Sequence, residues 1–579
     1  MKRMLFLVPV LLLCLSQALA QSPAFRWAKG FGGTTRDEYG GSITDKSGNI
    51  YTVGSFTSDS VDFDPGPGVF KLGRNGSTGG GIGGPPDIYL TKLDSNGAFK
   101  WAKVIGSTGA DIANAVAIDA DGNIIVTGGF TGSVDFDPGP GRTELTAEAD
   151  MDMFVAKYTN SGELLWAKSI AGNGTETGYS VGVNSKGFIY LAATFTQYAD
   201  IDPGPIEAMI TSWGWGQPDV LLLKLSRDGD FSWFSQFAGP GSEGNPHLAI
   251  NSKDEVFVTG TYEGSVECGM GGSGSIKLKS ESISGTDFFV AKFSGDALAW
   301  AKDQGKSLIA APNSLAADRA GNVYVCGTFT GTSDFDPGPD TYNLTGSSGD
   351  AFVLKLDGDG HFSWASQIGG ELSDEGIGIA LDKENNIFIT GNFSAEADVD
   401  PGSGEFILET FGKSDVFIAK WNQYGEYLWS AQLGGTEEDQ AGAILVNEFN
   451  HIYACGVWNG IADFDPSGAG SVNLSATGST DIFITQLAQK TTKPTNIPVP
   501  GATGIAVYPN PAKGAVYVRN NQLQELNIEV YNALGSLVHH QPGSTSTIAL
   551  DLSAQPKGLY LVDIWSGKAH LCTRTIHLQ

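Results

Sequence analysis

The stretch Phe25-Arg26-Trp27-Ala28-Lys29 decides the fold, because it is the first of seven near-copies along the chain. Each copy centres on a tryptophan and is followed by a glycine-rich turn and strand-like runs. A repeat of 64 to 74 residues that persists over most of the chain indicates one supersecondary unit in tandem. The seven tryptophans are Trp27, Trp101, Trp166, Trp233, Trp300, Trp364 and Trp429.

Each unit contains four strand-like runs separated by turn residues. A short apolar run ends in Asp or Asn, a β-branched and aromatic run follows (IYTVGSF at 50–56), a third run opens with Asp (DIYLTKL at 87–93), and the tryptophan run comes last. Asp or Asn beside Gly favours hairpins, and short strands between turn signals are typical of antiparallel sheet. We therefore predict an all-β chain whose seven units form a seven-bladed β-propeller, with an open β-solenoid as the alternative.

The two ends of the repeat support a closed ring. Trp27 precedes the other strands of the first unit, whereas the last unit ends at residues 481–487 with no tryptophan run after it. Pairing the N-terminal strand with the last unit would complete that unit and remove two unpaired sheet edges. An open solenoid has no need of complementary deficits at its ends.

An acidic motif, Asp-x-Asp-Pro, occurs in six units, and the fourth unit has Val266-Glu267-Cys268-Gly269 instead. One interpretation is a turn, in which Pro and Gly set the backbone, the first Asp caps N–H groups and the middle residue plugs into the blade. The other is Ca²⁺ binding, because Asp residues at i and i+2 share a face and offer hard oxygen ligands. The candidate Ca²⁺ ligands are Asp62, Asp64, Asp135, Asp137, Asp200, Asp202, Asp334, Asp336, Asp398, Asp400, Asp463 and Asp465.

A second acidic column opens the third strand of every unit, and Lys follows five residues later in six of them. A catalytic residue is seldom copied into every unit, so we interpret this column as a buried, turn-organising Asp. No other pattern predicts a catalytic residue. The column is Asp87, Asp152, Asp219, Asp287, Asp350, Asp415 and Asp481, and the lysines are Lys92, Lys157, Lys224, Lys292, Lys355 and Lys420.

Composition limits the classes of partner. The net charge is −29 and the excess acid lies in residues 21–500, which argues against nucleic acid or an anionic membrane as a partner. Five cysteines show neither disulfide nor metal spacing; Cys326 and Cys455 occupy a column held by Thr in other units and are predicted to be small buried fillers.

The first twenty residues read as a secretory signal. Lys2 and Arg3 precede an apolar run from Leu5 to Leu15, and residues 18–20 supply a small-residue cleavage site. No other stretch is long and apolar enough for a transmembrane segment. We therefore expect export through the inner membrane and a location at the cell surface or outside the cell. The predicted organisation is a signal peptide at 1–20, the propeller at 24–488, a linker at 489–503 and a separate C-terminal domain at 504–579.

The C-terminal domain departs from the repeat. Its alternating apolar runs and turns predict a small seven-strand β-sandwich of the immunoglobulin-like kind. The order YPNP (508–511), VYNALGSLV (530–538) and PKGLYLV (556–562) resembles the type A C-terminal sorting domain of the type IX secretion system of Bacteroidota. That resemblance implies an export address, normally removed at the outer membrane, whose partner is the type IX machinery. The repeat units resemble SBBP-type bacterial β-propeller repeats through GNIYTVG (48–54), DFDPGP and D-x-F-V-A-K, a likeness that implies fold and no particular activity.

These observations predict an exported binding or interaction protein that is non-catalytic and takes a glycan or protein ligand. The first alternative is a secreted polysaccharide hydrolase or lyase with a site at the propeller axis. Glu243 and Glu375 are candidates for that site, because we interpret each as an acid that is present in one unit only. The second alternative is a purely structural exoprotein. No cofactor is predicted apart from Ca²⁺.

Overall fold

The computed structural model describes residues 23–489, except 76–82, 215, 273, 281–284, 305–308, 403 and 468–469, and residues 505–578, except 509–514, 521–524, 533–535, 546 and 568. The signal peptide and nearly all of the linker lie outside these ranges. The chain divides into two compact units, Met1–Lys490 and Thr491–Gln579. The described residues form strands and turns without a helix, so the prediction of an all-β chain is confirmed. Within the same residues, no helix has the length and apolar character needed to cross a membrane.

Each repeat unit is an antiparallel sheet of four strands, numbered here in the order in which the chain forms them. The first strands are Asp37–Thr44, Asp111–Ile118, Glu176–Val183, Glu243–Ile250, Ile309–Ala317, Glu375–Leu381 and Gln440–Val446. The second strands are Ile50–Phe56, Ile124–Phe130, Ile189–Phe195, Glu255–Glu263, Val323–Asp334, Ile387–Phe393 and His451–Trp458.

The third strands carry the Asp column and the fourth strands carry the tryptophans. The third strands are Asp87–Leu93, Asp152–Tyr158, Asp219–Leu225, Thr286–Ser294, Asn343–Leu356, Asp415–Trp421 and Asp481–Ala488. The fourth strands are Phe99–Ile105, Leu164–Gly172, Phe231–Ala238, Ala297–Gln304, Phe362–Ile368, Tyr427–Gly435 and, for the seventh unit, Ala24–Phe31.

The N-terminal strand completes the seventh unit. Ala24–Phe31 runs antiparallel to Asp481–Ala488, with Ala24 opposite Ala488 and Phe31 opposite Ile482. Its sheet then continues through His451–Trp458 to Gln440–Val446. The first strands also contact one another in a cycle, in which the first strand of unit 7 touches that of unit 1. The chain therefore joins its last repeat to its first, as the complementary ends of the sequence predict.

The core consists of the second and third strands, which are almost wholly buried. These strands read as continuous β-branched and aromatic runs because both of their faces pack against neighbouring units. The first strands are only partly covered, and each of them has a β-bulge one to three residues after its start. Burial therefore increases from the first strands towards the middle of each sheet.

A short hairpin lies between the second and third strands of each unit. In units 3, 4 and 7 the hairpin pairs with the fourth strand of the preceding unit; in units 1, 2 and 6 a single bridge makes the same connection. In unit 5 the hairpin is continuous with Val323–Asp334 and Asn343–Leu356. The other hairpin strands are Ser60–Asp62, Lys71–Gly73, Ser133–Asp135, Glu144–Thr146, Tyr198–Asp200, Met209–Thr211, Ser265–Met270, Ile276–Lys279, Glu396–Asp398, Ile407–Glu409, Ile461–Asp463 and Asn473–Ser475.

The described residues of the C-terminal unit form seven strands in two sheets. One sheet has three strands, Ile505–Tyr508, Ala515–Asn520 and Thr547–Asp551, and the other has four. Buried side chains from both sheets, such as Val518, Ile548, Ile528 and Val562, share one core. The four strands of the second sheet are Leu526–Asn532, Leu537–Gly543, Gly558–Ser566 and Ala569–Leu578.

Candidate functional site

The Asp-x-Asp-Pro motif forms the turn at the tip of each hairpin. In unit 1, Asp62 Oδ1 accepts the N–H groups of Asp64 (3.2 Å) and Phe70 (2.8 Å), and Asp64 Oδ1 accepts that of Gly66 (2.8 Å). The same three bonds recur in the other five units that carry the motif, with small changes in distance. The carboxylates therefore organise the turn, and Ca²⁺ binding by these residues stays a prediction.

The residue between the two Asp residues fills the space between neighbouring units. Phe63 is buried, and its ring lies 5.7 Å from Phe31 in the fourth strand of unit 7 and 5.7 Å from Tyr89 in unit 1. Phe136, Ile201, Phe335, Val399 and Phe464 are buried at the same position. In unit 4 the buried Cys268 takes this place. Burial of an apolar side chain at this position stabilises the contact between units without the acidic pair.

Paired carboxyl groups lie at six of the junctions between units. The Asp that opens each third strand is buried, and in six junctions it faces a second buried acid at the start of the next unit's first strand. The pair of Asp481 and Asp37 lies at the junction between unit 7 and unit 1. The pairs are Asp87 with Asp111, Asp152 with Glu176, Asp219 with Glu243, Asp350 with Asp374, Asp415 with Asp439, and Asp481 with Asp37.

The sequence interpretation missed the second member of these pairs. The signal that could have found it is a spacing of 24 residues from the Asp column in the five pairs that the chain connects directly. Glu243 belongs to this column, and Glu375 follows Asp374 as Glu38 follows Asp37. Neither glutamate is therefore an acid restricted to one unit, which removes the reason for considering the two as a catalytic pair. In the junction of units 4 and 5, Ala310 holds the place of the second acid, after the bridge from Thr286 to Ile309.

Close backbone packing surrounds these acids. A methyl group on Gly32 would collide with the carboxyl groups of both Asp481 and Asp37, and one on Gly106 would collide with that of Asp87. The loop amides also cap the acids, since Asp37 Oδ2 accepts the Gly33 N–H at 2.6 Å. Glycine at these positions lets the carboxyl groups approach the backbone of the loop that joins two units.

Burial governs the protonation of the pairs. Burial, together with the charge of the second acid, raises the pKa of Asp37, Asp87, Asp374 and Asp439 to about 7. For Glu243 burial and the Asp219 charge raise the pKa to about 9. Removing a carboxylate from water disfavours its charged form, and a like charge nearby adds to the effect. The acids with the most strongly raised pKa values therefore keep their protons at a pH where ordinary carboxyl groups have lost them.

The opposite end of the third strands carries the lysines and tryptophans. Lys157 Nζ donates to the carbonyl of Arg227 in the next unit (3.1 Å) and pairs with Asp119 of its own unit (2.8 Å). Trp27 Nε1 donates to the Ser95 carbonyl of unit 1 at 3.3 Å. Equivalent bonds to the next unit are made by Lys92, Lys224, Lys292, Lys355, Trp101 and Trp300. The repeated Lys and Trp thus join units at this end.

Two smaller features complete the chemistry of the repeat. Asp357, Asp359 and His361 bring one potential ligand atom each to within 4.8 Å of one another. Asp357 Oδ1 already accepts the backbone N–H groups of Asp359 and His361, so these three residues form the turn between the third and fourth strands of unit 5. Cys326 and Cys455 are free and buried, as the threonine column predicted.

Sequence comparisons place two known families on the chain. The family described as "Secretion system C-terminal sorting domain" matches residues 506–577, and the family described as "Beta-propeller repeat" matches residues 363–392. The chain thus carries SBBP-type β-propeller repeat sequence and a type IX sorting domain, and both predictions are confirmed. The sorting domain indicates export to the cell surface or the extracellular space.

Similar proteins extend the comparison without adding an activity. The WD repeat-containing protein L264 of Acanthamoeba polyphaga mimivirus is 24% identical over 76% of this chain and 37% of its own length. The regulatory protein FlaEY of Caulobacter vibrioides is 25% identical over 27% of this chain and 17% of its own length. The chain therefore spans less than two fifths of the length of these curated relatives. The solved structure of PorZ, a surface component of the type-IX secretion system of Porphyromonas gingivalis, aligns with 95% of this chain and 99% of its own chain. The sequence identity is 11% and the TM-score is 0.19.

Proposed function

We propose that this protein is a seven-bladed β-propeller that works outside the cell as a non-catalytic binding scaffold, delivered by an immunoglobulin-like C-terminal sandwich. The continuous cycle of first strands and the pairing of Ala24–Phe31 with Asp481–Ala488 support the ring. The two packed sheets around one core support the sandwich. A signal peptide at residues 1–20 and a linker at 489–503 complete the proposed organisation.

The assignment of the repeated polar residues to structure supports a non-catalytic role. The hairpin Asp residues cap turn amides, the junction acids pair between units, and the lysines bond to the next unit. These residues are engaged in holding the units together, which repeat proteins require at every interface. A binding role then falls to groups that differ between units.

The observation that carries the binding role is a set of partly exposed aromatic pairs on three hairpins. Phe406 stacks on Tyr427 with ring centroids 5.2 Å apart. Phe70 with Phe99 (5.0 Å) and Tyr342 with Phe362 (4.8 Å) repeat the arrangement in units 1 and 5. The hairpin aromatic residue of each pair is exposed, although it is large and apolar. Flat aromatic surface beside carboxylates suits a ligand with apolar faces and hydroxyl groups, such as a glycan.

A glycan panel with product analysis tests this function. We expect the mature protein to bind a subset of glycans without changing them, and the triple variant Phe70→Ala/Tyr342→Ala/Phe406→Ala to lose at least tenfold in affinity. Phe449→Ala is the matched control, because Phe449 is also exposed but lies outside the hairpins. Cleaved glycan in the wild-type reaction would instead favour the polysaccharide-active alternative. No binding to any glycan or protein would leave the structural exoprotein.

Secretion requires its own test. Removal of residues 504–579 is expected to leave a folded repeat domain that accumulates in the periplasm, since the sorting domain supplies the address. The full chain is the control. Normal surface appearance of the truncated chain would contradict the proposed delivery.

A further inference from the structure

The carboxyl pairs differ in how their oxygen atoms are bonded. In the junction of units 5 and 6, Asp374 accepts the N–H groups of Gly370 (2.7 Å) and Ser394 (3.2 Å), one on each oxygen. Asp350 accepts a bond from Ser347 on one oxygen (3.2 Å) and from the Gln367 amide on the other (3.2 Å). All four carboxyl oxygens of this junction therefore have donors, and the charge is distributed over fixed protein dipoles.

The junction of units 2 and 3 lacks these donors. Glu176 is 1% exposed and Asp152 is fully buried. Among the described residues, neither carboxyl oxygen of Glu176 accepts a hydrogen bond, and neither does Oδ1 of Asp152, whereas Asp152 Oδ2 accepts the Glu148 N–H at 3.0 Å. Burial raises the pKa of Asp152 to about 6, although the nearby N–H groups of Glu148 and Gly172 lower it. Three buried carboxyl oxygens are thus without a donor. Leaving such atoms unpaired costs a large desolvation penalty, so the pair needs a positive partner or a proton.

The difference lies in the loop amides and not in the length of the side chain. Glu176 and Glu243 both stand where the other junctions have Asp, yet Glu243 accepts the Gly239 N–H at 3.1 Å, whereas Glu176 accepts no loop amide among the described residues. Thr196, which corresponds to Ser394, donates its N–H to the Thr175 carbonyl instead (3.1 Å). At Glu243 the carboxyl group touches that of Asp219, so one shared proton can join them. Asp152 and Glu148 act on Glu176 through charge, and with burial they raise its pKa to about 8.

We propose that Asp152 Oδ1 and the two oxygens of Glu176 bind one divalent cation of the Ca²⁺ type at the junction of units 2 and 3. A carboxylate that offers both oxygens and a second carboxylate are typical ligands of Ca²⁺, and water supplies the remaining positions. This site is separate from the Asp-x-Asp-Pro turns, whose first carboxylate already accepts two amides. The cation would fix two units to each other by neutralising charge that the protein leaves uncompensated.

Counting bound calcium in matched variants tests the proposal. The mature protein, Glu176→Gln and the control Asp374→Asn are stripped with chelator, equilibrated at about 1 mM Ca²⁺ and dialysed, and bound metal is measured by elemental analysis. We expect Glu176→Gln to hold one ion fewer than the wild type and Asp374→Asn to hold the same number. Asp152→Asn provides a second variant with the same expected loss.

Thermal melting gives an independent result. Ca²⁺ should raise the Tm of the wild type by on the order of 3 °C more than that of Glu176→Gln. In chelator, Glu176→Gln should melt above the wild type, because its amide can donate to Asp152. Equal ion counts in the wild type and both Glu176 and Asp152 variants would overturn the proposal. A wild-type Tm that is insensitive to Ca²⁺ but falls between pH 7 and 9 would also overturn it and assign a proton to Asp152, Glu148 and Glu176.

Discussion

The two ends of the third strands join neighbouring units with opposite chemistry. At one end buried carboxyl groups face each other, as Asp87 faces Asp111, and burial raises the pKa of both. At the other end Lys157 pairs with Asp119 and bonds to the next unit, and this contact lowers the pKa of Asp119. The comparison shows that one repeat can gather its buried, like-charged groups at one end of the strand and its opposite-charge pairs at the other.

The largest expected effect is an opposite pH response of the two ends. For the carboxyl pairs the folded pKa lies above the unfolded value of about 4, so their stabilisation is complete below that value and is lost as pH rises through about 7. At about 1.4 kcal/mol for each pKa unit, several such groups together change the free energy of unfolding by several kcal/mol. We expect the Tm in chelator to fall steadily from pH 5 to pH 9.

The lysine end has the reverse sign. Asp119, Glu255 and Asp357 have lowered pKa values in the folded chain, so their contribution is present above about pH 4 and is lost as pH falls below it. A Tm that rises from pH 5 to pH 9 would contradict the protonated state of the carboxyl pairs.

Next in size is an overpacked junction. Gly32→Ala places a methyl group against the carboxyl groups of Asp37 and Asp481, and we expect a loss of about 3 kcal/mol in the free energy of unfolding. Gly470→Ala is the control, because its nearest neighbour is the carboxyl of Asp465 at 4.0 Å. Urea denaturation measures both. Equal stability of the two variants would show that the carboxyl pair tolerates displacement.

A substitution at the lysine end should lower the free energy of unfolding by about as much as Gly32→Ala. Lys157→Met removes the cation that pairs with the buried Asp119 and is expected to cost about 3 kcal/mol, since it leaves a buried charge uncompensated. Lys92→Met serves as control, because Lys92 is partly exposed and bonds to the Asn160 carbonyl; its loss should be about 1 kcal/mol. A similar loss in both variants would show that the buried pair with Asp119 adds no stability beyond the hydrogen bond to the next unit.

How far the sequence predicted the molecule depends on the kind of position. The all-β class followed from the Trp period and the turn residues, and the family comparisons confirmed the sorting domain. The turn interpretation of Asp62 and Asp64 followed from Asp-Pro-Gly chemistry. The sequence analysis missed the acids that pair with the Asp column. Some of these acids are Asp and others are Glu, they lie at or next to the start of the first strand, and their partners come from the preceding unit. Glu243 accepts a loop N–H whereas Glu176 accepts none among the described residues, and residue spacing contains no information on this difference.

The smallest expected effect concerns the hairpin turns. Asp137→Ala removes the acceptor for the Gly139 N–H at an exposed turn, and we expect a loss of about 1 kcal/mol in the absence of Ca²⁺. Melting with Ca²⁺ and with chelator, together with a metal count, tests the predicted role of the twelve Asp residues in Ca²⁺ binding. Up to six ions assigned to the hairpins would support that role. Superimposable melts without bound metal would leave these residues as turn formers.

We propose that the first strand of the chain closes the ring of units. Ala24 and Ala488 lie opposite each other in the antiparallel pair that joins the two ends of the repeat. Opposite residues in such a pair have Cβ atoms about 5 Å apart, near the range that a disulfide spans. The double variant Ala24→Cys/Ala488→Cys is oxidised and examined by mass spectrometry and melting, with Ala24→Cys alone as control. We expect an intramolecular disulfide between these residues and a raised Tm, whereas absence of that cross-link, or cross-links only between separate chains, would show that the first strand does not close the ring.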